Sequence, residues 1–181
     1  MPRLAIPSRD DAPEASREIL NRVHDQLGTV PSFDRLMASS PAALRGHAAF
    51  TTALAGAIDV KTRERVALAI AQANGCDYCL SAHSYRAINI AKISPAEIDA
   101  SRRCESRDPK AEAAMRFAVK IVNGRGDVSD EDLSEIRSAG FDDQQIVELV
   151  AFVGLNIFAN YLNRVARTEI DFPAVRSAAE D

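Results

Sequence analysis

Helix start and stop signals follow one another along this sequence, and they constrain its fold more than any other feature. Ser40 before Pro41 is typical of an N-cap followed by proline at the first helical position, and Gly75 and Gly124 each follow a helical pattern. The sequence contains no run of alternating β-branched residues and no Asn-Gly or Asp-Gly turn between strand-like runs. It also contains no internal repeat and no low-complexity linker. We therefore predict a single-domain, all-α helical bundle over residues 1–181.

The predicted helices lie between these signals. The sequence predicts a first helix from Pro13 to a stop at Gly28, a loop at TVPSF (29–33), and a second helix from Pro41 to a break at Ile58–Lys61. The later predicted helices begin at an N-cap at Thr62, continue after Gly75 to about Ala91, start again at a Ser94–Glu97 capping box, and cover 109–124, 129–140 and 142–169. The tail after Phe172 is predicted to be frayed.

Composition and charge exclude several classes of protein. The 181 residues are 46% hydrophobic and 27% charged with a formal net charge of −4, which argues against nucleic acid as the main partner. The opening MPRLAIPSRDDAPE has prolines and charges where the apolar part of a secretory signal would lie. The most apolar stretch, Ile146 to Leu162, contains Glu148, Asn156 and Asn160 and is shorter than the roughly 20 residues of a membrane span. We therefore expect a cytoplasmic protein with no membrane partner.

Two of the three cysteines and one of the three histidines lie close together in the stretch NGCDYCLSAH. Cys76 and Cys79 are three positions apart, and Cys79 and His83 four, so on a helix all three share one face. Because Gly75 ends the preceding helix, Cys76 falls near the start of the next one, where free N–H groups and the helix dipole favour a thiolate. A Cys-x-x-Cys pair there can cycle between dithiol and disulfide, and His83 can hold or relay the Cys79 proton.

Three other interpretations of the pair were weighed. A structural zinc site needs four ligands, and the remaining candidates Cys104, His24 and His47 show no second short ligand spacing, so no metal is expected. A thioredoxin-like motif needs strands, which the pattern does not predict. The third interpretation is two buried cysteines on a core helix, because cysteine often behaves as a small apolar residue. The pair alone leaves this interpretation open.

The wider stretch ERVALAIAQANGCDYCLSAH resembles the core motif of the carboxymuconolactone decarboxylase and alkylhydroperoxidase D-like superfamily. That motif is a glutamate, eleven residues, Cys-x-x-Cys, three residues and a histidine, and it falls on Glu64, Cys76, Cys79 and His83 within residues 60–91. PSFDRLMASSPAAL and NIFANYLNRVARTEIDFP are similar to the branch of peroxidase-related enzymes. The decarboxylases as a rule lack the cysteine pair, so its presence favours the peroxidase branch.

The resemblance implies an enzyme without a cofactor that reduces hydrogen peroxide or organic hydroperoxides. Cys79 resembles the peroxidatic cysteine and Cys76 the resolving one, while Glu64 and His83 resemble the proton relay. In alkylhydroperoxidase D the reductant is a lipoyl group on a partner protein, and a second histidine precedes the second cysteine. Here Tyr78 stands in that place, and tyrosine titrates near 10. The dithiol reductant, lipoyl-bearing or thioredoxin-like, therefore stays open. The alternatives are a dithiol-disulfide oxidoreductase and a redox-sensing protein of the same fold.

The remaining predictions concern neighbouring residues and assembly. Glu64 is expected in the first turn of its helix, and Asp77 is expected to disfavour a thiolate at Cys76. Cys104 is interpreted as a bystander in a charged stretch, and the histidines at 24 and 47 as surface or packing residues. The apolar helices at 66–73 and 146–162, together with the resemblance, predict a homo-trimer or homo-hexamer.

Overall fold

The computed structural model describes residues 2–177, and over that range the chain forms nine α-helices and no strand. The all-α prediction is confirmed. The helices are α1 Glu14–Leu27, α2 Ser32–Ala38, α3 Pro41–Ala53, α4 Val60–Ala73, α5 Asp77–Asn89, α6 Pro95–Arg102, α7 Pro109–Gly124, α8 Asp130–Ser138 and α9 Asp143–Ala166.

Several caps are the predicted ones. The Ser40 side chain accepts a hydrogen bond from the backbone N–H of Ala43 at 3.3 Å, with Pro41 at the first helical position. Ser94 likewise accepts from the N–H of Glu97. The Glu97 carboxylate does not complete a capping box, because it pairs with Arg65 at 3.2 Å and accepts from Ser106. Short polar side chains placed before proline or acidic residues therefore located these helix starts well.

Two predictions at helix starts are wrong. TVPSF is a loop only as far as Pro31, because α2 begins at Ser32 and buries the apolar side chains of residues 36–38. The N-cap of α4 is Asp59, not Thr62: its carboxylate accepts from the N–H groups of Lys61 and Thr62 at 3.0 and 3.1 Å. Glu64 therefore lies in the second turn of α4, beyond the reach of the helix-start dipole.

Helix α4 is the central element and packs against α5, α6, α7 and α9. Its residues from Val66 to Ala71 are 0–1% exposed. On one side Val66 and Ile70 join a cluster with Met115 of α7 and Leu149 of α9. On the other side Leu68 joins a second cluster that contains Cys76 and, from α5, Tyr78, Cys79 and Leu80. The cysteine pair is therefore built into the core of the bundle.

Helix α9 has 24 residues and is long and apolar enough, by length and composition alone, to cross a membrane. The apolar stretch 146–162 was predicted to be too short for a membrane span, but the helix that contains it is long enough. Leu149, Phe152 and Val153 pack against the neighbouring helices in the core, and Asn156, Asn160 and Asn163 are also buried on this helix. A second strip of apolar side chains on α9 stays exposed, at positions 147, 150, 158, 161 and 165.

The tail after Phe172 was predicted to be frayed, but its residues up to Ser177 pack against the bundle. Phe172 and Val175 pack against the cluster that holds the cysteine pair. Ser81 of α5 donates from its hydroxyl to the carbonyl of Val175 at 3.3 Å, and the N–H of Val175 donates back to that hydroxyl at 2.9 Å. We name residues 172–177 the C-terminal strap. The rest of the predicted frayed tail, 178–181, lies outside the described residues.

Candidate active site

Cys76 and Cys79 form a disulfide at the start of α5, with their Cα atoms 5.3 Å apart. Cys76 is the N-cap of this helix, and its Sγ accepts from the N–H of Cys79 at 3.3 Å. Gly75, with φ of +61°, makes the turn from α4 into α5. The two cysteines are only 1% and 4% exposed. A sharp turn and a helix start thus hold both sulfur atoms under a cover of core side chains.

Glu64 and His83 meet between α4 and α5. Nδ1 of His83 lies 2.7 Å from Oε2 of Glu64, and Nε of Arg86 donates to Oε1 of the same carboxylate at 3.2 Å. The Glu64 side chain is 2% exposed and that of His83 is 21% exposed. Glu64 is therefore a buried carboxylate with two basic partners, not an exposed acid at a helix start.

The ionisation of Glu64 is set by opposing effects. Burial opposes the charge, but the charge and hydrogen bond of His83 and the Arg86 guanidinium outweigh it, so the pKa of Glu64 lies below its ordinary value. The ionised Glu64 carboxylate thus accepts a hydrogen bond from Nδ1 of His83. This contact orients the ring and leaves Nε2 of His83 for another partner.

Helix α9 supplies contacts to the cysteine turn that the sequence did not predict. Nδ2 of Asn163 lies 3.5 Å from Sγ of Cys79 and also donates to the carbonyl of Ala159 at 3.0 Å. Asn160 accepts at Oδ1 from Nδ2 of Asn74 at 3.0 Å, and Arg164 donates to the carbonyl of Asn74. Asparagines at 156, 160 and 163 recur at helical spacing on an apolar helix, and this pattern is the sequence signal that could have pointed to Asn163.

Tyr78 takes a structural place in the site. Its hydroxyl accepts from the N–H of Phe33 at 3.0 Å, which ties α2 to α5. Burial raises the pKa of Tyr78 far above its ordinary value, although the bond from Phe33 opposes this, and Asp171 raises it further. Tyr78 therefore stays protonated and cannot act as a base in place of the second histidine of alkylhydroperoxidase D.

Asp77 is engaged by the C-terminal strap. Oδ1 accepts from the N–H and the hydroxyl of Ser177, both at 2.8 Å, and Arg176 donates to Oδ2 at 2.9 Å. Partial burial opposes the charge, but the Ser177 and Arg176 bonds outweigh it and lower the pKa of Asp77. Asp77 is therefore a carboxylate beside Cys76, partly neutralised by Arg176.

The other histidines and the third cysteine lie apart from this site. His47 packs edge-on against Phe33, with ring centroids 5.3 Å apart, and burial lowers its pKa. His24 lies 3.8 Å from the Asp25 carboxylate, and Cys104 packs against the core cluster of α7 and α9. Burial raises the pKa of the Cys104 thiol. Among residues 2–177 no group of three or more histidine, cysteine or carboxylate side chains is placed to hold a metal ion.

Comparison with protein families finds one match, and it contains the residues of this site. Residues 39–122 match the model of the carboxymuconolactone decarboxylase family. That range contains Glu64, both cysteines of the disulfide, and His83. This match, over slightly less than half of the chain, supports the resemblance that the sequence motif predicted.

Solved structures share the whole fold. An uncharacterized peroxidase-related protein from Ralstonia eutropha JMP134, described as an alkylhydroperoxidase AhpD core, aligns with a TM-score of 0.84 at 24% identity, over 94% of this chain and 92% of that one. A peroxidase-related protein from Silicibacter sp. TM1040 aligns with a TM-score of 0.80 at 21% identity, over 93% and 91%. A variant of the debrominase Bmp8 in complex with 2,3,4-tribromopyrrole aligns with a TM-score of 0.78 at 18% identity, over 94% of each chain. No curated protein matches the chain.

Proposed function

We propose that this protein is a thiol peroxidase that reduces hydrogen peroxide or organic hydroperoxides through the Cys76–Cys79 couple. The observation that carries the proposal is a disulfide at the start of α5 beside a buried carboxylate–imidazole pair. The alternative of two cysteines that serve only to pack the core does not account for their pairing as a disulfide. It also does not account for a buried Glu64 held by His83 and Arg86.

The proposed reaction has two oxidising steps. The Cys79 thiolate attacks one oxygen of the O–O bond: an S–O bond forms, the O–O bond breaks, and the leaving oxygen takes a proton and departs as water or alcohol. The Cys76 sulfur then attacks the sulfenic sulfur, so that the S–S bond forms and the hydroxyl leaves as water. Two electrons pass from the dithiol to the peroxide, and a second dithiol, lipoyl-bearing or thioredoxin-like, returns them by thiol–disulfide exchange.

The proposed relay begins at His83. The Glu64 carboxylate fixes the proton of the neutral imidazole on Nδ1, so Nε2 is the basic nitrogen. His83 lies one turn beyond Cys79 on α5, on the same face, and takes the thiol proton. The imidazolium is then stabilised by the ionised Glu64 and can return the proton to the leaving oxygen.

Peroxide consumption with dihydrolipoamide and with thioredoxin as alternative reductants tests the proposal. We expect turnover with at least one of them, loss of turnover in Cys76→Ser and Cys79→Ser, and unchanged turnover in Cys104→Ser. Disulfide exchange with both reductants but no peroxide consumption would contradict the proposal and favour the dithiol-disulfide oxidoreductase. Since a debrominase shares the fold, 2,3,4-tribromopyrrole is the comparison substrate, and faster turnover of it than of any peroxide would also contradict the proposal.

A further inference from the structure

We propose that Asn163 is a further catalytic residue, whose side-chain amide binds the sulfur of Cys79 in its thiolate and sulfenic acid forms. This inference rests on the proposed function, because it assigns a role in the same reaction. Within residues 2–177 Asn163 is the one residue whose side chain donates a hydrogen bond to a sulfur of the pair, with Nδ2 3.5 Å from Sγ of Cys79.

The orientation of the Asn163 amide is fixed by its own helix. Nδ2 donates to the carbonyl of Ala159 at 3.0 Å, and a carbonyl oxygen only accepts, so the amide nitrogen faces both Ala159 and Sγ of Cys79. One of the two N–H groups serves the carbonyl and the other is available to sulfur. In the disulfide this sulfur is neutral and a weak acceptor. When the disulfide opens, a thiolate forms beside a donor that is already in place, and hydrogen bonds to charged acceptors are about twice as strong as neutral ones.

The other end of the amide is an independent observation. Oδ1 of Asn163 is buried and has no hydrogen-bond partner among the described residues, and the whole residue is 4% exposed. Buried acceptors are normally satisfied. A sulfenic acid on Cys79 adds a hydroxyl to the sulfur that this amide contacts, and an amide oxygen without a partner is an acceptor for such a donor. One amide thus offers a donor for the thiolate and an acceptor for the oxidised intermediate that follows.

Asn156 provides a matched control on the same helix. It is 5% exposed, and its Nδ2 donates to the carbonyl four residues back, that of Phe152, at 2.8 Å. Asn163 has the same burial and the same local bond, and differs in its contact with sulfur. Replacement of either asparagine by leucine removes a buried amide from α9, but only Asn163→Leu removes a donor to Cys79.

The test is an ultraviolet titration of the Cys79 thiolate in a Cys76→Ser/Cys104→Ser background, in which Cys79 is the one remaining thiol and a side-chain oxygen stays at the N-cap of α5. We expect Asn163→Leu to move the titration to higher pH by about one to two pH units, and Asn156→Leu to leave it in place. Below the titration range, the rate of sulfenic acid formation with hydrogen peroxide should fall by about 10- to 100-fold in Asn163→Leu alone.

An unmoved titration in Asn163→Leu, or an equal movement in both leucine variants, would overturn the proposal. If Asn163→Leu does not fold, Asn163→Ala makes the same test, because alanine removes the donor without adding volume. The titration needs no peroxide turnover. A protein that consumes no peroxide would therefore refute the proposed function while the titration still decides whether Asn163 stabilises the thiolate.

Discussion

Glu64 was identified from the sequence as a candidate site residue, and the structure shows which groups surround it. Its spacing from the cysteine pair singled it out, and its contact with His83 at 2.7 Å is present in the fold. Its position within α4 was predicted wrongly, because the start of the helix is set by the Asp59 side chain rather than by Thr62. Sequence spacing identified Glu64 and His83 as candidates, while the burial that gives the carboxylate its two basic partners depends on the packing of α4 against α5.

We expect Glu64→Gln to slow the reaction of the reduced protein with peroxide by roughly 10²–10⁴, the usual contribution of a positioned acid–base group. Glutamine keeps the size of the side chain but removes the charge that stabilises a His83 imidazolium. Stopped-flow oxidation measures the rate. Glu97→Gln is the control, because Glu97 also pairs with an arginine at 3.2 Å but has no contact with His83. Equal rates in Glu64→Gln and wild type would remove Glu64 from the mechanism.

Glu64→Gln should also change how the free energy of unfolding depends on pH in the acid range. Because folding lowers the pKa of Glu64, the carboxylate stabilises the fold above its ordinary pKa, and this contribution is lost as the pH falls through the lowered value. Denaturant unfolding at a series of pH values should therefore show a shallower acid-side loss of stability in the variant than in wild type.

The two cysteines should react in a fixed order. Cys76 gains from the helix start but has the Asp77 carboxylate beside it, while Cys79 has the Asn163 donor and His83 one turn away. We therefore expect peroxide to yield a sulfenic acid on Cys79 in Cys76→Ser, and no fast oxidation of Cys76 in Cys79→Ser. Mass spectrometry after chemical trapping of the sulfenic acid identifies the oxidised cysteine. Sulfenic acid found mainly on Cys76 would reverse the assignment.

At the scale of elements, helices with strong local signals were predicted well and those that depend on tertiary contacts were not. α7 has the predicted bounds: Asp108 caps its start before Pro109, and Arg125 ends it in the left-handed conformation directly after Gly124. α2 was missed because its seven residues carry few local helix signals, and burial of Leu36 and Met37 stabilises it instead. The C-terminal strap was missed for the same reason, since its order comes from partners on α5 almost a hundred residues earlier.

The C-terminal strap should stabilise the start of α5. A chain ended at Asp171 loses the bonds from Ser177 and Arg176 to Asp77 and the packing of Phe172. We expect the free energy of unfolding to fall by about 2–4 kcal/mol, from the lost hydrogen bonds and apolar burial together. A chain ended at Ser177 is the matched control and should keep full stability in urea unfolding. Equal stability of both truncated chains would mean that the strap does not stabilise the fold.

At the scale of the whole molecule, α4 and α9 differ in whether their apolar side chains are already buried within one chain. The apolar residues of α4 are buried within the chain and need no second copy. The argument for a homo-oligomer therefore depends on α9, where Val147, Tyr161 and Val165 are 56–68% exposed along one helix. Exposed apolar surface of this extent is typical of an interaction site.

We expect light scattering to give a multiple of the 19.6-kDa chain mass, in keeping with a trimer or hexamer. The double variant Val150→Lys/Tyr161→Lys places charges on the exposed strip of α9 and should shift the protein towards monomer. Leu27→Lys, at an exposed position on α1, should not. A wild-type monomer at micromolar concentration would contradict the assembly.

The measurement that tests the central claim most directly is a single turnover of the fully reduced protein with a limiting amount of hydrogen peroxide. It needs no knowledge of the physiological reductant. The account predicts that each peroxide consumed removes two thiols, that peptide mapping finds the Cys76–Cys79 disulfide, and that the Cys104 thiol remains. Peroxide that disappears without formation of this disulfide, or a reduced protein that does not consume peroxide, would contradict it.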